Sequence, residues 1–96
     1  MQLITSLMQE VNKQILVERV EQNKKWGPQR HPHETWYVIA AEEGGEVAQA
    51  IQVLKGWGKP TDAQNLYKEI IQQAAVLQAF AEQVLEEMRL QESGYE

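Results

Sequence analysis

Residues 34–55 read ETWYVIAAEEGGEVAQAIQVLK, and this stretch decides the fold. Its apolar residues recur every three or four positions and do not alternate with polar ones, which predicts an α-helix. On a helical wheel of about 100° per residue, six residues share the arc that we expect to face the core. They are Ile39, Glu43, Glu46, Ala50, Val53 and Leu54. Two carboxylates therefore fall inside the face predicted to be buried, and Glu42 lies at its edge.

Two segments rich in glycine and proline flank this helix. Residues 26–33 read WGPQRHPH and residues 56–60 read GWGKP, and neither can continue a helix. After the second break, Thr61 with Gln64 forms a capping-box pattern. This pattern predicts that a third helix starts there and reaches about Arg89.

An apolar stripe before the first break predicts a first helix from about Leu3 to Gln22. The stripe that we expect to be buried comprises Leu3, Ile4, Leu7, Met8, Val11, Ile15, Leu16 and Val20. Strand-like alternation is missing, so we predict an all-α fold, an antiparallel bundle of about three main helices. It forms a single domain over residues 1–96 with a polar tail of about residues 92–96.

Composition excludes several classes of protein. The 96 residues contain no cysteine, which excludes disulfides, zinc–thiolate sites and thiol nucleophiles. Serine occurs only at Ser6 and Ser93, which excludes a serine hydrolase triad. Nine basic against fourteen acidic residues give a net charge of −5, which disfavours nucleic-acid polymers and anionic membranes. No stretch approaches the roughly 18 apolar residues of a membrane span, and we expect a cytoplasmic protein.

The chain is small for a stable core. A domain of this size buries only about 60 to 65% of its unfolded surface, so we expect the bundle to be completed by oligomerisation. The third helix carries Ile71, Ala75 and Ala79 on a face away from its main apolar arc. These residues predict close helix contact between subunits.

The carboxylates of the second helix have the spacing of a metal site. Glu43 and Glu46 lie about 5 to 6 Å apart on a helix, and inward carboxylates are costly unless they are paired or bind a metal. Between them, Gly44 and Gly45 weaken the helix, which suggests that something approaches it closely. A helix–turn–helix brings Glu69 opposite this pair, at the margin of an apolar arc of Leu66, Ile70, Leu77, Phe80 and Val84. Clustered carboxylates favour a hard cation, Mg²⁺ or Mn²⁺.

The first break is basic although the chain is acidic. The segment from Gln22 to His33 contains no acid and carries Lys24, Lys25, Arg30, His31 and His33. Basic side chains beside an acidic metal site are typical of a polyphosphate site. Trp26 and Trp36 lie in or beside this break, where an aromatic ring can stack on a base, and packing in the core is the alternative for each.

Several motifs follow one another along the chain: Glu18-Arg19, Lys25-Trp26-Gly27, His31-Pro32, Trp36, Glu42-Glu43-x-x-Glu46-Val47-Ala48 and Glu69. Over about residues 18–80 this series resembles the MazG-like all-α nucleoside triphosphate pyrophosphohydrolases, whose signature is E-E-x-x-E followed by E-x-x-D. The resemblance implies hydrolysis between the α and β phosphates of a nucleoside or deoxynucleoside triphosphate. The products would be pyrophosphate and a monophosphate. It also implies a homodimer or homotetramer.

The resemblance assigns roles to residues. Mg²⁺ would be held by Glu43, Glu46, Glu69 and position 72, where the family has aspartate and this chain has Gln72. In the mechanism that we predict, Glu42 orients or deprotonates the attacking water. Lys24, Lys25 and Arg30 screen the triphosphate, a loop histidine, His31 or His33, binds phosphate or caps the turn, and Trp26 or Trp36 packs on the base.

Two alternatives remain open from the sequence. Gln72 favours a nucleotide- or metal-binding module with reduced or no turnover, although the helical wheel places Gln73 further inward than Gln72. A purely structural helical oligomer would instead leave the glutamates on a solvated face or pair them with Lys13, Lys55 or Lys68.

Overall fold

A computed structural model of the chain describes residues 3–58, 63 and 65–94. These residues form three helices and no strand: α1 (Ser6–Trp26), α2 (His33–Leu54) and α3 (Leu66–Glu92). The predicted all-α fold is confirmed. None of the described helices combines the length and the apolar character needed to cross a bilayer.

The third helix, α3, organises the fold. It packs against both α1 and α2, whereas no described residue of α1 has its Cα within 8 Å of a Cα of α2. Hydrogen-bonded pairs joining α2 to α3 run in opposite order along the two helices, from His33 with Glu87 to Ala40 with Gln73, so these helices are antiparallel. The result is a groove that has α1 and α2 as walls and α3 as floor.

The buried core lies between α2 and α3. It is formed by Trp36, Ala40, Val76 and Ala79, with Ile39 and Phe80 packed against it. Trp36 and Phe80 stack with their rings 11° from parallel and 6.1 Å between centroids. This cluster fixes the first half of α2 against α3.

Helix α1 is longer than the sequence predicts. Its start is capped by Thr5, whose hydroxyl accepts a hydrogen bond from the Met8 amide, and it continues through Trp26 to Gly27, whose φ is 77°. The predicted end at Gln22 is therefore wrong by one turn. Lys24 and Lys25 belong to the last turn of α1, where positive charge complements the helix dipole.

The predicted burial of the α1 apolar stripe is wrong for this chain. No residue of α1 is buried, and the exposed fraction reaches 72% at Leu7. The reason lies in how α1 meets α3. Polar side chains of its C-terminal half reach α3, as Arg19 does with Gln78 and Glu82, while its N-terminal half is left uncovered.

The prediction for the two apolar faces of α3 is wrong in part, although Phe80 of the predicted arc does pack against the core. Ile71, Ala75 and Ala79, predicted to contact another subunit, are buried within this chain. Ile70 and Leu77, predicted to lie in the core, are nearly half exposed. The spacing between packed helices depends on the side chains at their contact, and small residues allow the closest approach. The alanine face therefore lies inside.

Two further boundaries differ. Helix α3 begins at Leu66, with Asn65 as its N-cap and the Asn65 side chain accepting from the Lys68 amide, so the predicted start at Thr61 is wrong. Thr61 and Gln64, the predicted capping box, lie outside the described residues. On α2, Leu54 is 65% exposed and does not share the inward arc, because the helix ends there beyond the reach of the core.

Candidate metal centre

Three carboxylates from two helices meet where α2 packs against α3. Glu43 and Glu46 come from successive turns of α2, and Glu69 comes from the first turn of α3. Each offers an oxygen atom, and the three oxygens lie within 4.8 Å of one another. We call these residues the carboxylate triad. The sequence prediction that Glu69 lies opposite Glu43 and Glu46 is confirmed.

The triad is buried enough to be costly without a cation. Glu69 is only 5% exposed. Glu43 Oε2 and Glu69 Oε1 are both buried and have no hydrogen-bond partner among the described residues. A buried carboxylate with an unsatisfied oxygen needs a proton or a cation. The donor set, carboxylate oxygens without sulfur or imidazole, fits a hard divalent cation such as Mg²⁺.

Burial and mutual repulsion also change the acidity of the triad. Burial raises the pKa of Glu43, and the neighbouring charges of Glu46 and Glu69 raise it further, with a smaller effect of Glu18. Burial likewise raises the pKa of Glu69, and Glu46 adds to the effect, whereas Lys68 lowers it. Both shifts have the sign expected of like charges held together away from water.

A close contact between α2 and α3 positions the triad. The Gln73 side-chain amide donates to the Ala40 carbonyl oxygen at 3.2 Å and lies directly against Gly44. The prediction that something approaches the glycine doublet is thus confirmed at Gly44, while no atom lies near the corresponding position at Gly45. The Gln73 side chain is therefore hydrogen-bonded to the α2 backbone.

Gln72, one residue earlier on α3, faces the other way, into the groove. It lines the same cavity as Glu43, together with residues of α1. Of the two amides that the sequence left open, Gln72 is the one that shares a cavity with Glu43, whereas Gln73 is hydrogen-bonded to the α2 backbone.

The groove contains two adjoining cavities. The first, about 310 Å³, lies between the end of α1, residues 27–30 and the α2–α3 core. The second, about 620 Å³, opens toward Glu18, Lys24 and Gln72. Gln22, Trp26 and Glu43 line both cavities, so Glu43 is the member of the triad that lies where they join. A volume of a few hundred Å³ is typical of sites for small molecules.

The two tryptophans have different surroundings. Trp26 is 63% exposed at the junction of the cavities, and the Lys25 ammonium lies 5.0 Å from the centre of its ring. Trp36 lines the first cavity but is only 4% exposed, and its Nε1 donates to Gln83 at 2.7 Å. Trp26 is therefore the ring that a planar ligand can reach, and Trp36 is a core residue.

The basic side chains that we expected to contact phosphate fall into two groups. Lys24 and Lys25 are exposed and line the second cavity beside Glu43, with Lys24 3.4 Å from Glu21. Arg30 lines the first cavity, but its guanidinium is bound by Glu82 at 3.2 Å and Glu86 at 3.1 Å. An anion that enters the first cavity must compete with these carboxylates for Arg30.

Both histidines lie far from the triad. The His31 amide donates to Gln83, its ring meets Trp36 edge-on at 4.8 Å, and His33 Nε2 lies 2.8 Å from Glu87. His33 precedes Glu43 by ten residues of α2, or about 15 Å along the helix. The structure thus joins the histidines to the end of α3. Glu42 is exposed and lies outside the group formed by the triad.

Glu18 and Arg19 are among the motifs of the sequence, but the predicted site gives no role to them or to Gln22. Glu18 and Gln22 line the second cavity beside Glu43, and Arg19 lines the first. Arg19 donates to Gln78 at 3.0 Å and to Glu82 at 2.7 Å, and this bond holds the pKa of Glu82 below its usual range. The sequence of α1 does contain a local signal that this helix contributes to the site. Polar residues at positions 18, 19 and 22 continue the helix face that is apolar at Val11 and Ile15.

The chain was compared with known proteins in three ways. No family model, no curated protein and no solved structure matches it.

Proposed function

We propose that this chain is a Mg²⁺-dependent nucleoside triphosphate pyrophosphohydrolase that cleaves between the α and β phosphates. One observation carries the proposal. The carboxylate triad has two buried oxygens without a partner among the described residues, and its member Glu43 lines both cavities together with the exposed Trp26, while Lys24 and Lys25 line the second. The motif resemblance to the MazG-like enzymes supports the choice of reaction.

The groove offers a different group to each part of the substrate. Glu43, Glu46 and Glu69 would hold the cation, which when bound neutralises phosphate oxygens and lowers the pKa of a water molecule. Lys24 and Lys25 lie on the same side of Glu43 and would contact the outer phosphates. Trp26 presents its ring at the mouth of the first cavity, where a base would stack. Glu42, which precedes Glu43 in the sequence and is exposed, is the proposed acceptor of the proton from the attacking water.

A second candidate function is favoured by Gln72. Gln72 lines the same cavity as Glu43 and stands at the sequence position where the related signature has an acid, and an amide carbonyl is a weaker ligand for Mg²⁺ than a carboxylate. The chain would then bind a nucleotide or a metal with reduced or no turnover. This candidate needs the same cavities and the same triad.

The decisive experiment is a screen of nucleoside and deoxynucleoside triphosphates for release of pyrophosphate and monophosphate in the presence of Mg²⁺. We expect at least one of them to be cleaved, and cleavage to be lost on chelation. Glu46→Gln is expected to lower turnover about 100-fold or more, because a cation site supplies several kcal/mol of charge stabilisation. Glu34→Gln, an exposed residue of the same helix, is the matched control and should keep full activity.

Calorimetric titration with Mg²⁺ separates the remaining outcomes. Binding that Glu46→Gln abolishes, without pyrophosphate release from any triphosphate, would establish the second candidate. If Mg²⁺ does not bind in a manner that depends on Glu46, both candidates are wrong and the glutamates are structural.

A further inference from the structure

Glu82 of α3 accepts hydrogen bonds from two guanidinium groups that belong to different parts of the chain. Its Oε1 accepts from Arg19 of α1 at 2.7 Å, and its Oε2 accepts from Arg30, in the segment between α1 and α2, at 3.2 Å. Arg19 also donates to Gln78, one turn earlier on α3, at 3.0 Å. A single carboxylate thus ties α1 and the segment before α2 to α3.

The contact of Arg19 is the polar link between α1 and the other two helices. Between described residues, no other side-chain hydrogen bond joins α1 to α2 or α3, and no residue of α1 is buried. Exposed ion pairs contribute little to stability, but the Arg19 side chain is only 14% exposed, and a charge-assisted hydrogen bond held away from water is stronger. The bond from Arg19 is also the main reason why the pKa of Glu82 is lowered. The position of α1 in the groove therefore depends on this contact.

The linked residues all line the first cavity, which Arg19, Arg30 and Glu82 share with the exposed ring of Trp26. Trp26 belongs to α1, so a shift of this helix would also move the ring and change the shape of the cavity. The triad is remote from the link. Glu82 follows Glu69 by thirteen residues of α3, or about 20 Å along the helix. A substitution at Glu82 can therefore alter the cavity without reaching the cation site.

We infer that Glu82 is a positioning residue that sets the shape of the first cavity by holding Arg19 and Arg30. The ligand that this shape selects rests on the proposed function, in which the base of a nucleoside triphosphate occupies the first cavity and its phosphates lie at the triad. Loss of the link should then weaken binding of the nucleoside part alone. The placement of α1 does not depend on the proposed function.

The first test measures the position of α1 and needs no ligand. The chain has no cysteine, so spin labels at Val17→Cys and Val38→Cys report the distance between α1 and α2. Both residues are exposed, and neither lines a cavity of the groove. Measured by pulsed electron paramagnetic resonance in an excess of unlabelled chain, the distance distribution should broaden or shift in Glu82→Gln and in Arg19→Met. Glu86→Gln removes the same charge one turn later and leaves the Arg19 bond in place, so this matched control should keep the wild-type distribution.

The second test separates the first cavity from the triad. Glu82→Gln should raise KM for a cleaved nucleoside triphosphate about tenfold, with kcat within about twofold of wild type. Inorganic tripolyphosphate with Mg²⁺ has no base, and its affinity in calorimetry should change by less than about twofold. The double variant Arg19→Met with Glu82→Gln should bind the nucleotide within about twofold of Arg19→Met alone, because both substitutions break one link.

The outcomes distinguish this inference from the proposed function. An unchanged distance distribution in Glu82→Gln would overturn the inference, as would an equal loss of affinity for tripolyphosphate and for the nucleotide. If the wild-type chain cleaves no triphosphate, the proposed function is wrong, and the distance measurement decides by itself whether Glu82 holds α1.

Discussion

Gln73 closes over Gly44. A Cβ atom placed on Gly44 would lie 2.7 Å from Gln73 Nε2, the nitrogen that donates to the Ala40 carbonyl oxygen. The absence of a side chain at position 44 therefore lets α3 approach α2 at the level of the triad. This approach is what brings Glu69 of α3 within 4.8 Å of the two glutamates of α2.

The first prediction separates the two adjacent glycines. Gly45→Ala meets no atom within 4 Å and should raise the free energy of unfolding by up to about 1 kcal/mol, because alanine favours a helix. Gly44→Ala gains the same propensity but displaces the Gln73 amide, and the lost hydrogen bond costs about 1 kcal/mol. Urea unfolding should therefore show stabilisation for Gly45→Ala and little net change for Gly44→Ala. Stabilisation of equal size in both variants would show that the contact at Gly44 has no energetic consequence.

The second prediction concerns the two neighbouring amides of α3. Gln72→Asp adds a charge beside Glu43, and we expect tighter Mg²⁺ binding. An added charge about 4 Å from the cation attracts it by roughly 4 kcal/mol, most of which is offset by desolvation and carboxylate repulsion. A net gain near 1 kcal/mol corresponds to about fivefold in affinity, which calorimetry can measure.

Gln73→Asp is the matched variant. It replaces a donor by an acceptor opposite the Ala40 carbonyl oxygen, so we expect a loss of stability and no gain in Mg²⁺ affinity. If Gln73→Asp tightens Mg²⁺ binding and Gln72→Asp does not, the assignment of the two amides must be exchanged.

The third prediction concerns Gln83, which ties the loop before α2 to α3. Its Oε1 accepts from Trp36 Nε1 and the His31 amide, and its Nε2 donates to the His31 carbonyl and to Glu87. Gln83→Leu leaves the buried indole N–H and the His31 backbone without these partners. We expect a loss of about 2 to 4 kcal/mol in urea unfolding. The exposed Gln91→Leu should change stability by less than about 0.5 kcal/mol.

The fourth prediction is a pH dependence of the metal-free chain. Because the pKa values of Glu43 and Glu69 are raised above 4.5, the folded state holds protons that the unfolded state has already released. This contribution to stability is present below about pH 4.5 and is lost as the pH rises through the raised pKa values. Glu69→Gln has no charge to bury there. Its melting temperature in chelator should exceed that of wild type by an increasing margin as the pH rises, and adding Mg²⁺ should reduce the margin.

Two carboxylates outside the triad, Glu82 and Glu87, have the opposite effect on how stability depends on pH. The pKa of Glu82 is lowered by Arg19, and that of Glu87 by Gln83 and His33, so both stabilise the fold above their ordinary pKa and lose this effect in acid. Wild type and Glu69→Gln share both of these carboxylates, so their effect on stability cancels when the two melting temperatures are compared. A margin that does not change with pH would contradict the assignment to Glu69.

The helices and the triad could be predicted from sequence because their signals are local. Apolar spacing marks each helix, proline and glycine mark the breaks, and Glu43 and Glu46 fall inside an apolar arc. Phe80 apart, the inner face of α3 could not be predicted, because both faces of the helix are apolar. Which face of α3 packs against α2 depends on how closely the two helices can approach, and small residues on both helices set that distance.

The partners of the basic loop could not be predicted either. The His31 amide bonds to Gln83, 52 residues further along the chain, and no local pattern marks that pair. Arg30 is likewise bound by Glu82 and Glu86 of α3. Long-range partners of this kind determine whether a loop cation is available to a ligand.

Among the described residues no Cα of α1 lies within 8 Å of a Cα of α2, so the two walls of the groove can have separate roles. The residues that would hold a cation belong to α2 and α3, whose packing is tight, whereas Gln22 and Trp26 belong to α1, which no core residue anchors. A substitution on α1 can therefore alter which molecules fit the groove while the triad keeps its geometry. Ligand preference can thus change over evolution through α1 alone, without loss of the chemistry.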